Sequence, residues 1–403
     1  MFKVVGVPAK LNSVFEEFRD EFTKPSYESF TQLTGAIIVT ERSRTVRRLH
    51  KSISGGKSRM AYEYFFKDAK WDEDAVAQCK ADLFFKEAGL SSEDKLLLVI
   101  DDTYVEKKGD KTDGVGKFFD HAKGRYINGN NFVTSCLQVD DVYIPHKARM
   151  YLKEETAEAM EGEEFRTKPE IAYTDLIEPL HVPEGVKLYI VFDSWWYSSE
   201  MIRDALELGH HVVCQLKSNK KIDGDVNVSE LADTVKYRKV KIKVRRKEKV
   251  YLAYEQIVEI PGLGDVKLVI SRTGKDKKPN FYMSTDLDLT MEEVLETYGN
   301  RWSIELAHRE ANQKFGFKEY QMMNKKGIER FMQLSFLAWT IVIIAKVTGK
   351  DFKTVIKEMK IGDILDEIKL VYFIEMLISL QHIFDSASSR EELVERLADL
   401  LWK

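Results

Sequence analysis

With 403 residues, 44% of them apolar, and a net charge of −4, the chain reads as a globular protein of two or three domains whose overall charge argues against a uniformly basic nucleic-acid binder. Cys79, Cys136 and Cys214 are too few and too scattered for a disulfide framework or a zinc site. The longest apolar run, Leu334 to Ala345, falls short of the roughly 18 residues of a membrane span, and no signal-peptide pattern opens the chain, so the expectation is a cytoplasmic protein with no membrane partner.

Helical spacing of apolar residues runs through Val14 to Phe22, Ser43 to Ile53, Ala61 to Phe66 and Asp72 to Ala88. These predict a helical domain over residues 1–92. Its middle is strongly basic, with Arg42, Arg44, Arg47, Arg48, His50 and Lys51 ahead of Gly55, Gly56, Lys57, Ser58 and Arg59. A basic helix and turn of this kind suits DNA phosphates, with Arg47, Arg48 and Lys51 as the contacts; a solvated helix face is the plainer alternative. A phosphate-binding P-loop is rejected, because Lys51 stands where its first glycine belongs.

From Leu96 the pattern becomes strand-like: Leu96 to Asp102, Phe132 to Val139, Val142 to Tyr151, Leu188 to Asp193 and His211 to Leu216, with a helix near Ser199 to Leu208. This order predicts an α/β fold with a mixed-sheet core over residues 93–216 and 290–327. Strands near Tyr237 to Val244, Val250 to Ile260, Val266 to Arg272 and Phe281 to Thr285 form a β-rich insertion over 217–289. Thr290 and Glu293 make a capping box for a helix running to about Tyr298, and a second helix begins near Arg301. The remainder, 328–403, reads as a helical C-terminal region with segments Ile328 to Thr348, Phe352 to Met359, Ile361 to Leu380 and Arg390 to Leu401.

Three acids carry the candidate chemistry. Asp101 and Asp193 end two apolar strands, where open α/β sheets place their sites, and Glu305 lies on a later helix. Carboxylates are the donors that magnesium prefers, and a pair of such ions can serve a phosphodiester during cleavage or strand transfer. Adjacent strand residues face opposite ways, so only one of Asp101 and Asp102 can enter the site; Asp101 is our choice. At 100° per residue Glu305 shares a stripe with Arg301, Arg309 and Asn312, while Ile304, Ala307, Ala311 and Phe315 form the core side. Two cations beside an acid suit a polyanion, although a salt-bridged surface stripe would look alike. In the insertion Lys239, Lys241, Lys243 and Arg245 alternate with Val240, Ile242 and Val244. Such a ribbon could follow a DNA backbone, or simply protect an exposed edge.

Across residues 40 to 345 the chain resembles the DDE transposases of the bacterial insertion sequence four superfamily. The resemblance rests on Val99 to Thr103 with Lys107, Lys108, Gly109 and Gly114 to Gly116, on Phe192 to Tyr197 with Leu216 to Asn219, and on Tyr298, Arg301 and Glu305, the superfamily signature. It implies a ribonuclease H-like core interrupted by a β insertion, with Asp101, Asp193 and Glu305 as the metal-binding triad. By the same resemblance Tyr298 and Arg301 hold phosphates near the cleaved DNA end, Mg2+ is the cofactor with Mn2+ as a possible substitute, and the protein acts as a homodimer on double-stranded DNA. The implied activity is cut-and-paste transposition: binding of terminal inverted repeats, cleavage, and joining to target DNA. The chain departs from the signature at its last position, where Asn312 replaces lysine. A DNA-binding protein without catalysis and a structure-specific nuclease with the same core are the alternatives.

Overall fold

The computed structural model describes residues 2–120, 123–244, 247–274, 277–347 and 360–402. The chain begins with five helices: α1 (Asn12–Glu16), α2 (Lys24–Val39), α3 (Val46–Lys51), α4 (Arg59–Lys67) and α5 (Glu73–Ala88). Thr45 and Ser58 cap α3 and α4, and Asp72 caps α5, which ends at the left-handed Gly89. The helix expected from Val14 to Phe22 is split into α1 and a 3-10 turn at Arg19–Glu21. The sequence pattern missed α2 altogether, because its buried residues run round every face and leave no amphipathic period to read.

The strands that follow are β1 (Lys95–Glu106), β2 (Gly116–Asp120), β3 (Arg125–Val139) and β4 (Val142–Tyr151). Two short helices, α6 (Glu154–Glu158) and α7 (Lys168–Ile171), lead into a π-helical stretch at Ala172–Ile177. Then come β5 (Lys187–Phe192), α8 (Ser199–Glu207) and β6 (His211–Leu216). Strand β1 is the axis, antiparallel to β3 on one side and parallel to β5 on the other. Strand β4 folds back on β3, and β6 runs parallel to β5. This is the ribonuclease H-like mixed α/β arrangement.

Beyond β6 lie β7 (Lys221–Ile222), β8 (Val226–Asn227), α9 (Val228–Thr234), β9 (Arg238–Val244), β10 (Lys247–Ile260), β11 (Gly264–Arg272) and β12 (Asn280–Ser284). Within the insertion, among the described residues, only β7 and β8 pair apart, as a two-stranded ribbon; its long strands join the core sheet. Phe281 to Ser284 pair antiparallel with Leu216 to Val213, and β11, β10 and β9 follow in turn, so the described residues hold one ten-stranded sheet. The cause is the outer edge of β6, whose backbone groups need partners that β12 supplies.

Helix α10 (Met291–Gly299) starts at the expected Thr290–Glu293 capping box. A 3-10 turn at Asn300–Trp302 joins it to α11 (Ser303–Phe315), which stops at the left-handed Gly316. Next are α12 (Lys325–Val347), α13 (Ile361–Ser386) and α14 (Arg390–Trp402). The expected helix at Phe352 to Met359, the end of the preceding one at Thr348, and Arg245 of the basic ribbon lie outside the described residues.

Helix α12 has 23 residues and is long and apolar enough to cross a membrane, more than the twelve-residue run had promised, yet 94% of its apolar window is buried inside the fold. It packs between the sheet at β4 and the helices α2, α4 and α5. Two buried cations rivet this arrangement. Arg330 of α12 donates to the carbonyls of Phe65, Phe66, Ala69 and Trp71 and pairs with Glu73. Lys80 of α5 donates to the carbonyls of Pro145 and His146 on β4. The helices before residue 92 therefore share one hydrophobic core with the sheet.

Replacing Arg330 by Ala strands four buried carbonyls and the Glu73 carboxylate, so the expected loss is roughly 3–5 kcal/mol of unfolding free energy. Arg47→Ala, on an exposed position, should stay within about 0.5 kcal/mol. Urea denaturation of both variants measures this, and a loss below about 1 kcal/mol for Arg330→Ala would contradict the rivet.

Candidate functional site

The strand expected to end at Asp101 and Asp102 runs on to Glu106, because β3 keeps pairing with it while the pairing with β5 stops at Val99, and its pleat sorts these two mid-strand acids. Leu97 and Val99 face the core layer beneath α10 and α11, whereas Leu96, Leu98 and Ile100 face the larger core on the other side. Asp101 continues the first set and Asp102 the second. On β5 Tyr189 and Val191 face the α11 side, and Asp193 follows them in the same alternation. Glu305 sits in the first turn of α11, whose Ile304, Ala307, Ala311 and Phe315 are all buried as expected.

Arg301, in the turn before α11, draws these acids together. Its guanidinium reaches Asp101 Oδ2 at 3.0 Å and Glu305 Oε1 at 3.0 Å, and Asp193 lies close enough to add to the same field. Burial pushes Asp101 up to about 7, against the opposing pull of Arg301. Backbone N–H groups orient two of the carboxylates: Asp102 donates to Asp101 Oδ1 at 2.8 Å, and Trp195 donates to Asp193 Oδ1 at 2.8 Å. Asp102 takes a different cation, pairing with Lys168 and accepting from Asn131 Nδ2 at 3.1 Å, yet it lines the same cleft as Asp101 and Asp193. A cleft of about 600 Å3 opens beside the acids, walled by Tyr104, Lys168, Trp195, Trp196 and Lys318.

The other expected contacts fall in three places. Tyr298 is half-buried against Tyr282 with its hydroxyl donating to Gln215, while Arg309 and Asn312 are exposed along α11. Lys239, Lys241 and Lys243 are exposed on β9, but on the sheet face opposite α10 and α11, since Val240, Ile242 and Val244 pack toward that helix layer. Arg47, Arg48 and Lys51 are exposed on α3. Arg44 corrects the reading of that basic segment as one phosphate-facing surface. It is buried, donates to the carbonyls of Ile37 and Lys314, and takes Glu319 on its backbone N–H at 2.6 Å. It ties off the last turn of α11, where a Cβ at Gly316 would meet its Cδ at 2.6 Å.

Several residues at the site escaped the sequence reading. Lys318 donates to Thr103 Oγ1 at 2.7 Å and to the Tyr104 carbonyl at 3.0 Å, and burial pushes it down to about 8. Lys168 and Lys318 carry no local signal, because the strand they meet is 66 and 215 residues away in sequence. Trp195 stands in the Phe192 to Tyr197 block already singled out, though without a role there; it is 72% exposed, with Lys217 Nζ 4.7 Å from its ring centre.

The donor set fits a hard divalent cation, being made of carboxylates alone with one guanidinium shared among them. Among the described residues no three His, Cys, Asp or Glu side chains are gathered closely enough to hold a metal ion. Arg301 stands between the acids instead.

Comparison with known proteins places the chain in a family. Residues 17–228 match the family model described as DDE superfamily endonuclease, and residues 170–341 match the transposase DDE domain. The chain is 24% identical over 312 residues to a probable transposase for insertion sequence element IS701 from Microchaete diplosiphon, covering 75% of this chain and 79% of that protein. The chain belongs to the DDE superfamily endonucleases and is a DDE-type transposase enzyme, and the resemblance drawn from its signature residues is borne out to that extent. Membership implies a DNA substrate and dependence on a divalent metal.

Because Arg301 neutralises the same carboxylates that suit a cation, Arg301→Gln should tighten Mn2+ binding by the DNA-free protein. The expected gain is on the order of tenfold, the scale of one charge interaction near 4 Å in a partly solvated site. Electron paramagnetic resonance titration reads it directly, and unchanged affinity would show that the guanidinium does not compete.

Proposed function

We propose that this transposase performs cut-and-paste transposition. It binds the terminal inverted repeats of its element, hydrolyses a strand at each end, and uses the freed 3′ hydroxyl to attack target DNA. The observation that carries the proposal is the pairing of Asp101 and Glu305 with Arg301, with Asp193 lining the same cleft as Asp101. Asp101, Asp193 and Glu305 would hold Mg2+, with Mn2+ as a substitute. When bound, the metal supplies Lewis-acid stabilisation of the entering and leaving oxygens.

The chain's own residues supply the rest. Arg301 turns from the acids to a DNA phosphate, supported by the neighbouring Tyr298, and Arg309 is exposed one turn beyond Glu305 to share that phosphate. The basic helix α3, with Arg47, Arg48 and Lys51, belongs to a DNA-binding N-terminal region, and Lys239, Lys241 and Lys243 offer a second phosphate track. Joining two ends calls for a homodimer on DNA, working in the cytoplasm. A nuclease with the same core would cut without joining, and a strand-transfer assay with paired end DNA separates the two.

Asp101→Ala and Asp193→Ala should each lower end cleavage by on the order of 10^3 or more while leaving end binding intact. Asp102→Ala, which empties the Lys168 side instead, should cost far less. Wild-type cleavage by Asp193→Ala would refute the assignment.

Binding to ends should weaken steeply with salt, with a slope near 0.9 per neutralised phosphate. Replacing Lys239, Lys241 and Lys243 by Ala should flatten that slope, and an unchanged slope would assign the ribbon to edge protection.

The Nζ of Lys314 lies toward Gly362 of α13, away from the acids. Arg309→Ala should therefore impair cleavage or strand transfer much more than Lys314→Ala, and Asn312→Lys should be tolerated. The reverse order in a single-turnover assay would mean that DNA approaches from the other side of α11.

A further inference from the structure

We infer that Thr134 and His308 form a neutral bridge that positions the strand carrying Asp101 against the helix carrying Glu305. The inference rests on reading those acids as the cleaving site. Thr134 stands directly opposite Asp101 in the β1–β3 register and is fully buried. Its hydroxyl donates to the main-chain carbonyl of Asp101 at 2.9 Å and meets His308 Nε2 at 2.8 Å. A hydroxyl has one proton and a carbonyl can only accept, so His308 must be the donor to Thr134. The imidazole is thereby fixed with its proton on Nε2.

His308 is three residues after Glu305, one turn along the same face. Its ring stacks on Phe317, with centres 6.2 Å apart and planes 6° from parallel, and Phe317 stacks in turn on Phe336 of α12. The imidazole cannot turn away without breaking that stack. Thr134 also lies where the β3–β4 pairing shifts register, between Thr134 and Cys136.

Among the described residues two polar links join the strand of Asp101 to α11 and the turn that opens it, beside the Lys318 clamp on Thr103 and Tyr104 just past the helix. One is Arg301, which is charged and is the group that a DNA phosphate would claim. The other is the Thr134–His308 bridge, kept uncharged because burial pushes His308 down to about 3, and with no reason to open when DNA arrives. Carboxylates that share a ligand need placement to within about 0.5 Å, and once Arg301 turns to phosphate the neutral bridge is the link that preserves it. His308 and Thr134 are positioning residues and touch no reacting atom.

Two pairs of variants test this. Thr134→Val removes the hydroxyl while keeping the shape, and Thr134→Ser restores it. His308→Phe keeps an aromatic ring for the stack without a donor, and His308→Gln restores an N–H at a similar reach. Thr134→Val and His308→Phe should weaken Mn2+ binding by the DNA-free protein on the order of tenfold. They should also lower kcat for end cleavage, with end affinity unchanged and melting temperature recorded for each variant. Thr134→Ser and His308→Gln should recover most of both losses. Wild-type Mn2+ affinity in Thr134→Val and His308→Phe would overturn the proposal, as would losses that follow melting temperature and are not rescued by Ser or Gln. Asp101→Ala is assayed alongside: if it cleaves normally the site reading itself fails, and if it is inactive while Thr134→Val is normal only the bridge fails.

Discussion

The alternation of side chains along β1 is the constraint on which the site depends. Because the strand is paired on both sides, it cannot slip by one residue without exchanging its two buried faces. That lock sends Asp101 toward Arg301 and Asp102 toward Lys168, so neighbouring carboxylates take different cations although the charge of Asp102 still bears on Asp101. The side facing α11 then gathers more acid than it can leave unneutralised, and Arg301 is the local answer. Cation demand at this spot follows from strand geometry before any ligand is considered.

Much of the fold was legible because buried strands announce themselves as apolar runs and helices announce themselves by caps. The strand end at Asp193, the Thr290–Glu293 box and the buried face of α11 were readable from local pattern, whereas β1 runs past Asp101 to Glu106 because its partner β3 continues there. Pairing was not. Nothing near Phe281 says that it will lie beside Leu216, since the partner lies 65 residues earlier and backbone hydrogen bonds leave no trace in composition. Helix α2 was invisible because burial on every side erases the period on which such reading depends. Within the basic N-terminal segment, Arg44 looked like its neighbours by charge, and only packing against α11 sets it apart.

The basic ribbon shows how one strand can serve two purposes. Its apolar face forms part of the layer beneath α10, and Gly299 at the end of that helix is close enough to Val244 that an added Cβ would come within 2.7 Å of it. The turn bearing Arg301 begins at the next residue, so the packing of β9 bears on where that arginine starts. Its lysines point the other way and are exposed. Removing their charge therefore leaves this packing untouched, and keeps an electrostatic effect separable from a structural one.

The late position of α12 in the chain has a consequence for synthesis. The apolar surfaces of α2, α4 and α5 are covered by a helix that begins at Lys325, and the turn around Phe65 to Trp71 waits for Arg330 to satisfy its carbonyls. While the ribosome is still building the catalytic strands, the N-terminal helices lack the element that completes their core. A chain released before that point would present sticky, half-formed helices to chaperones and proteases. Active protein thus emerges only from messages translated past the codons of α12.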